Sequence, residues 1–355
     1  MEGAPTPAVR GRGTAENPKN RFEEIEVVPD LEAPEDERPA PATRFFRDLS
    51  KSIIATNDSP DVGFSSSVNP YRGCEHGCVY CYARPTHEYL GFSAGLDFET
   101  RILVKEDAPE LLRRELSAPS WRPQLLALSG VTDPYQPVER RLRLTRRCLE
   151  VLAEFRNPAA IVTKNHLVTR DADILAELAR HRAAAVFVSV TTLDPDLARS
   201  MEPRASTPSR RLAAVAALAA AGVPAGVMIG PVIPGLTEHE IPAILGAAAK
   251  AGAKFAGHIM LRLPFGVKDL FDQWLARHAP AKRNKVLGRI RGVRGGKLNE
   301  TRFGSRISGA GPIADQIHQL FKVTCHRLGL AEHSPDLSTE SFRRPGAVQL
   351  RLFES

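Results

Sequence analysis

Short apolar runs alternate with amphipathic stretches through the middle of the chain. The runs are Leu125–Ser129, Ala160–Thr163, Val186–Val190, Pro224–Ile229 and Phe255–Leu261. Runs this short, bounded by polar and turn residues, read as strands buried on both faces. Between them lie Leu142–Phe155, Asp171–Arg180, Ser209–Ala221 and Thr237–Ala251, whose apolar positions recur at helical spacing. Thr237 and Glu240 have the spacing of a capping box, and Asp171 stands as an N-cap ahead of Ile174, Leu175 and Leu178. Gly222 and Gly252 fall where two helices should stop. With a first strand near Ser65–Pro70, the pattern gives six strand–helix units. Strands alternating with helices form a parallel sheet. The expected fold is α/β: a partial (βα)6 barrel of the TIM type, open on one side, with its chemistry at the C-terminal ends of the strands.

The ends differ from this core. Residues 1–43 are rich in Pro, Glu, Gly and Arg and read as a disordered N-terminal tail. The barrel is expected over 44–265, a basic C-terminal helical extension over 266–335 and a short C-terminal tail over 336–355. In the extension, Leu270, Phe271, Trp274 and Leu275 form one apolar helix face, and a last helix runs from Pro312 to Gly329.

Composition narrows the class. Of 355 residues, 43% are hydrophobic, enough for a sizeable core. The formal charge of +7 is a modest basic excess, compatible with a nucleic-acid partner without requiring one. No apolar run approaches the ~20 residues of a membrane span. The start of the chain lacks the apolar region of a secretory signal, so the cytoplasm is the expected location.

Candidate chemistry concentrates in NPYRGCEHGCVYCYARPTHEYLG, where Cys74, Cys78 and Cys81 have the spacing C-x3-C-x2-C. Three thiols on one loop suit three irons of a cubane cluster and leave the fourth without a protein ligand. A structural zinc site is the competing reading, but His76 and His87 give no familiar zinc spacing with these thiols. Disulfides fit poorly, because the chain has five cysteines and three of them are tightly clustered. The two distant ones, Cys148 and Cys325, sit among apolar neighbours at helical spacing and read as core.

The cysteine run and the following YARPTHEY resemble the radical S-adenosylmethionine (SAM) superfamily, in particular its spore photolyase-like branch. The resemblance extends over about Ser65 to Leu263. It implies a [4Fe–4S] cluster held by Cys74, Cys78 and Cys81, with SAM chelated at the open iron and cleaved reductively to a 5′-deoxyadenosyl radical. Tyr82 then matches a residue close to SAM and is the candidate catalytic side chain. Lys164, in IVTKN, matches a partner of the SAM carboxylate, and Ser189, in VFVSVTT, a partner of the ribose. Ser129, Thr132 and Asp133, in SGVTDPY, fall where the family holds the SAM amino group. Glu202, Arg204 and Arg211 resemble a Glu-Pro-Arg stretch, from which Arg204 is taken as a further SAM contact. MIGPVIPG and HIMLRLP match adenine-cradling segments. One departure concerns the reaction. Spore photolyase carries a hydrogen-donor Cys after its second strand, and LSGVTDPY has none.

The run AKRNKVLGRIRGVRGGKLNETRFGSR is strongly basic and glycine-rich. Such clusters bind phosphate backbones, and Arg291, Arg294 and Arg302 are the candidate contacts. The reading is therefore a radical SAM enzyme served by a one-electron donor of flavodoxin or ferredoxin type, acting on DNA or RNA in repair or base modification. Modification of a peptide or small metabolite, and a non-catalytic iron–sulfur or metal-binding protein, are the alternatives.

Overall fold

A computed structural model describes residues 9–23 and 42–345. Ten strands occur in chain order: β1 (Arg44–Arg47), β2 (Ile54–Thr56), β3 (Ser66–Val68), β4 (Tyr71–Arg72), β5 (Arg101–Val104), β6 (Leu126–Leu128), β7 (Ala159–Thr163), β8 (Ala184–Ser189), β9 (Ala225–Val232) and β10 (Phe255–Met260). Seven of them form one sheet in the order β10-β9-β8-β7-β6-β3-β2. All its pairings are parallel except β2 with β3. The six parallel strands are the ones the apolar runs predict, and helices such as Leu144–Phe155 and Pro208–Ala220 connect them. The sheet curves without closing, as a partial barrel. Its core joins the strands to the inner faces of these helices, with Val186, Val188, Val227, Leu152, Leu175 and Leu218 all fully buried. Cys148 and Cys325 are fully buried there too, as the sequence predicts.

The small sheet β1-β5-β4 has no counterpart in the sequence pattern. Its strands are two to four residues long, and β1 is exposed throughout, so they leave no apolar run to read. Two helix starts also differ from expectation. Thr237 makes no side-chain cap; its Oγ1 accepts from Ile233 N at 3.0 Å, while Glu240 accepts from Thr192 Oγ1 at 2.6 Å and Leu193 N at 2.7 Å. Asp171 caps nothing either, because Arg146 and Arg170 bind its buried carboxylate at 3.0 and 2.7 Å. Both carboxylates satisfy partners other than the backbone of the helix they precede.

The β10 edge of the main sheet is covered by the chain around Ala331. At β10, Ala256 N donates to Ala331 O and Ala331 N to Lys254 O, at 2.8 and 3.0 Å. The open side is bridged at the barrel mouth. The loop between β2 and β3 reaches the C-terminal extension, where Asp61 takes Gly304 N at 2.5 Å and the Arg306 guanidinium, which also binds Ser59 Oγ. Arg294 anchors the extension side of this clasp: its guanidinium donates to Ser305 O, Met260 O and Leu261 O at 2.7, 3.2 and 2.6 Å.

The ends are more ordered than the tail reading allows. Residues 9–23 pack on the cysteine loop and its neighbours, with Gly13 N and Thr14 N donating to the Glu99 carboxylate at 2.9 and 3.1 Å. Near the other end, Arg343 N donates to Phe155 O at 2.9 Å and Phe342 packs on the Phe155 ring. The remainder of both expected tails, 1–8, 24–41 and 346–355, lies outside the described residues.

Candidate active site

The cysteine loop leaves β4 and lies at the C-terminal mouth of the barrel. Gly73 and Gly77 both take positive φ, +80° and +67°. A Cβ on Gly77 would come 2.7 Å from Glu99 Oε2, so the residue just before the second thiol is held to glycine. Cys74 N donates to Phe98 O at 2.9 Å and Cys81 N to Cys78 O at 3.2 Å. Beneath the loop, the fully buried Arg84 donates to Cys78 O at 2.9 Å and pairs with the equally buried Glu99 at 2.5 Å. The next shell locks the loop to the barrel. Glu75 donates its backbone N–H to Gln136 Oε1 at 3.0 Å, and its carboxylate accepts Val138 N at 2.7 Å and pairs with Arg204 at 3.0 Å. Both ring nitrogens of His76 are engaged, by Asp133 at 3.3 Å and Asn165 at 3.1 Å, so this histidine is not a free metal ligand.

Lys164 is the electrostatic centre of the mouth. It follows β7 directly, and its Nζ reaches Ser189 Oγ (2.9 Å), Thr191 Oγ1 (3.1 Å), Gly230 O (2.6 Å) and the Glu202 carboxylate (3.2 Å). Glu202 is buried and also takes Tyr80 OH and the Arg211 guanidinium. Burial pushes the Glu202 carboxyl up, but Arg211 and Lys164 outweigh it and hold the group well below its ordinary value. Asp133 behaves alike: burial raises it, while His76, the Lys164 backbone N–H and Thr163 bring it below the usual carboxylate range. The mouth therefore keeps two ionised carboxylates that organise one lysine and one histidine.

The sequence-predicted residues separate into groups. Cys74, Cys78, Cys81, Asp133, Lys164 and Ser189 converge at one end of the barrel. The Asp133 backbone favours the thiolate form of Cys74 against its burial, and the Lys164 charge does the same for Cys78 and Cys81. Thr132 is turned to the scaffold, its Oγ1 donating to Tyr71 O at 3.1 Å. Ser129 precedes Gly130, whose carbonyl accepts Tyr82 OH at 2.6 Å. Tyr82 is 46% exposed and is the tyrosine that faces the opening; Tyr80 and Tyr135 are buried. Arg204 differs from expectation, because its guanidinium is held by Glu75 and by Thr43 Oγ1 at 3.1 Å and supports the cysteine loop. Arg294 differs more sharply. It is 2% exposed and spends its donors on carbonyls, so it is no phosphate contact. Arg291 and Arg302 lie on the surface, the latter paired with Glu300 at 2.9 Å. Sequence reasoning misses Asn165, Glu99, Arg84 and Thr191, since isolated polar residues carry no local pattern.

The thiols fit an iron–sulfur cluster. All three thiols are free and lie on one short loop, and both nitrogens of the nearby His76 are engaged by Asp133 and Asn165. Burial pushes all three thiols up, so they give up their protons only where a cation replaces them. Arg84 and Lys164 stand by to balance the negative charge of such a group.

This is an enzyme built on a partial α/β barrel, with three free thiols on one loop at the strand ends. The radical SAM superfamily model matches residues 68–248, and the chain belongs to that superfamily. The cofactors of the family are a [4Fe–4S] cluster and SAM. An uncharacterized protein of Mycobacterium tuberculosis (H37Rv) is 42% identical over 241 residues, covering 66% of this chain and 70% of its own. One from Methanocaldococcus jannaschii is 28% identical over 173 residues, covering 49% and 62%. Among solved structures, a spore photoproduct lyase complexed with dinucleoside spore photoproduct matches with a TM-score of 0.57 at 16% identity, covering 81% of each chain. That likeness is one of fold. No helix among the described residues is long and apolar enough to cross a membrane.

Proposed function

We propose that this enzyme cleaves SAM reductively and uses the resulting radical on a nucleic-acid substrate. The observation that carries the reading is the convergence of Lys164, Ser189 and Asp133 on the three-thiol loop. Cys74, Cys78 and Cys81 are the residues to hold the cluster. When bound, the reduced cluster supplies the electron that breaks the sulfonium C–S bond. The protein supplies orientation and a water-poor mouth. Lys164 offers a positive charge for a carboxylate, and Asp133 and the Ser129–Thr132 backbone offer acceptors for an ammonium. An external one-electron donor of flavodoxin or ferredoxin type completes the cycle.

Two things favour nucleic acid. The fold is that of a lyase whose structure holds a dinucleoside. The extension also carries exposed Lys282, Lys285, Arg291 and Lys297, with Phe303 56% exposed nearby in sequence. The hydrogen donor is Tyr82 in this reading, because Cys148 and Cys325 are fully buried in the core. The test is anaerobic reconstitution with dithionite and SAM, with and without oligonucleotides. Release of 5′-deoxyadenosine that rises with an oligonucleotide is the expected result. No 5′-deoxyadenosine would return the chain to a binding role; release stimulated only by peptides or metabolites would replace the substrate class.

A further inference from the structure

Buried or half-buried arginines in this fold have partners. Arg84 has Glu99, Arg211 has Glu202, Arg170 has Glu139 and Asp171, and Arg294 has three carbonyls. Arg262 is the exception at the barrel mouth. It follows β10, and its guanidinium carbon lies 5.4 Å from the centre of the Tyr82 ring. Its Nε is buried without a hydrogen-bond partner, as is that of Arg294, but unlike Arg294 it makes no other guanidinium hydrogen bond among the described residues. Asp61 acts on it only at a distance, being bound to Arg306 and Gly304 in the clasp. Arg306 adds a second cation nearby, and burial together with that cation lowers the Arg262 pKa.

A half-buried guanidinium without an acceptor, beside another guanidinium, is costly unless something negative arrives. The fork of an arginine matches the paired oxygens of a phosphate or carboxylate. The position also matters: Tyr82 directly follows the thiol Cys81, so a group held here lies beside the cluster loop. We infer that Arg262 is a substrate subsite that binds an oxyanion, with the Tyr82 ring as its floor. This rests on the reading that the substrate reacts at the barrel mouth. It also specifies that substrate: it carries a phosphate or carboxylate within reach of the reacting carbon.

The test is calorimetric titration of the reconstituted holoenzyme, loaded with SAM at low salt, with three probes: inorganic phosphate, acetate and the dinucleotide thymidylyl-thymidine. A saturable site weakened at least tenfold in Arg262→Gln is the expected result. Arg262→Lys should recover part of the affinity, because charge returns without the fork, and thermal melting of both variants checks that they fold. Preference for phosphate and dinucleotide over acetate assigns a phosphodiester; the reverse assigns a carboxylate. Unchanged binding in Arg262→Gln overturns the inference, as does a loss that falls on SAM affinity and spares all three probes. If the holoenzyme releases no 5′-deoxyadenosine yet still binds the probes through Arg262, the subsite stands and the proposed reaction falls.

Discussion

Glu202 shows how a single side chain orders the site. Its carboxylate holds Lys164 from one side and the fully buried Arg211 from the other. Removing one partner of a buried pair leaves the other charge uncompensated, at a cost of about 3–5 kcal/mol. Glu202→Gln should therefore lower the unfolding free energy measured in urea by a corresponding amount. Lys164 itself is 14% exposed at the barrel mouth. Lys164→Ala should weaken SAM binding by roughly tenfold or more, since a charged hydrogen bond contributes about 1.5–3 kcal/mol; equilibrium dialysis against SAM measures it. Tyr82→Phe should raise the ratio of 5′-deoxyadenosine to modified product, read by chromatography of single turnovers. An unchanged ratio would remove Tyr82 as hydrogen donor. Residues of this kind are half legible. A Lys ending an apolar run stands out in the sequence, as Lys164 does. Arg294 has the same local look as the exposed Arg291, and only the carbonyls that surround it reveal its role.

At the scale of elements, the six parallel strands are readable because burial on both faces forces an unbroken apolar run. β1, β2, β4 and β5 are not, because they are short and β1 and β2 lie largely exposed at sheet edges. The helix-start misreadings at Thr237 and Asp171 have one cause: a capping residue is equally able to serve another partner. The turn that carries the cysteines has its own sensitivity to acid. His87, in the 3-10 segment Arg84–Leu90, binds Arg101 O at 2.9 Å and packs on Phe92 and Phe98. Burial lowers it to about 4, against the Arg101 carbonyl and the nearby Asp97 carboxylate, which pull the other way. Its folded value is thus depressed, so stability is complete above the unfolded value near 6.5 and is lost as pH falls toward 4. The loss should approach about 1.4 kcal/mol per pH unit in that window. Melting of the apo protein from pH 7.5 to 4.5 should show this slope, and His87→Gln should flatten it.

On the scale of the whole molecule, the sequence marks the barrel and the basic extension but presents both ends as tails. Residues 9–23 instead lie on the cysteine loop, where Gly13 approaches so closely that a Cβ would sit 1.6 Å from Gly77 O. A composition rich in Pro, Gly and charge hides such a strap, because its anchors are backbone N–H groups and isolated polar side chains such as Asn17, Asn20 and Arg21, which carry no local pattern. Gly13→Val should loosen the loop, and cluster absorbance followed in air should decay faster than in the unaltered protein. The nucleic-acid reading makes a global prediction as well. Binding should weaken with salt. Lys285→Ala with Arg291→Ala should reduce the slope of log affinity against log salt by about 0.9 for each duplex phosphate that is no longer neutralised. Arg294→Ala should instead lower the melting temperature.

The Asp61–Arg306 clasp spans the gap that an incomplete barrel leaves between its first and last strands. The pair is reinforced by Gly304 N on Asp61 and by Ser59 Oγ on Arg306. Asp61→Asn should weaken this link between the β2–β3 loop and the extension and widen the mouth. Under the proposed nucleic-acid function, oligonucleotide length preference should change in Asp61→Asn, which a comparison of turnover on short and long strands would measure.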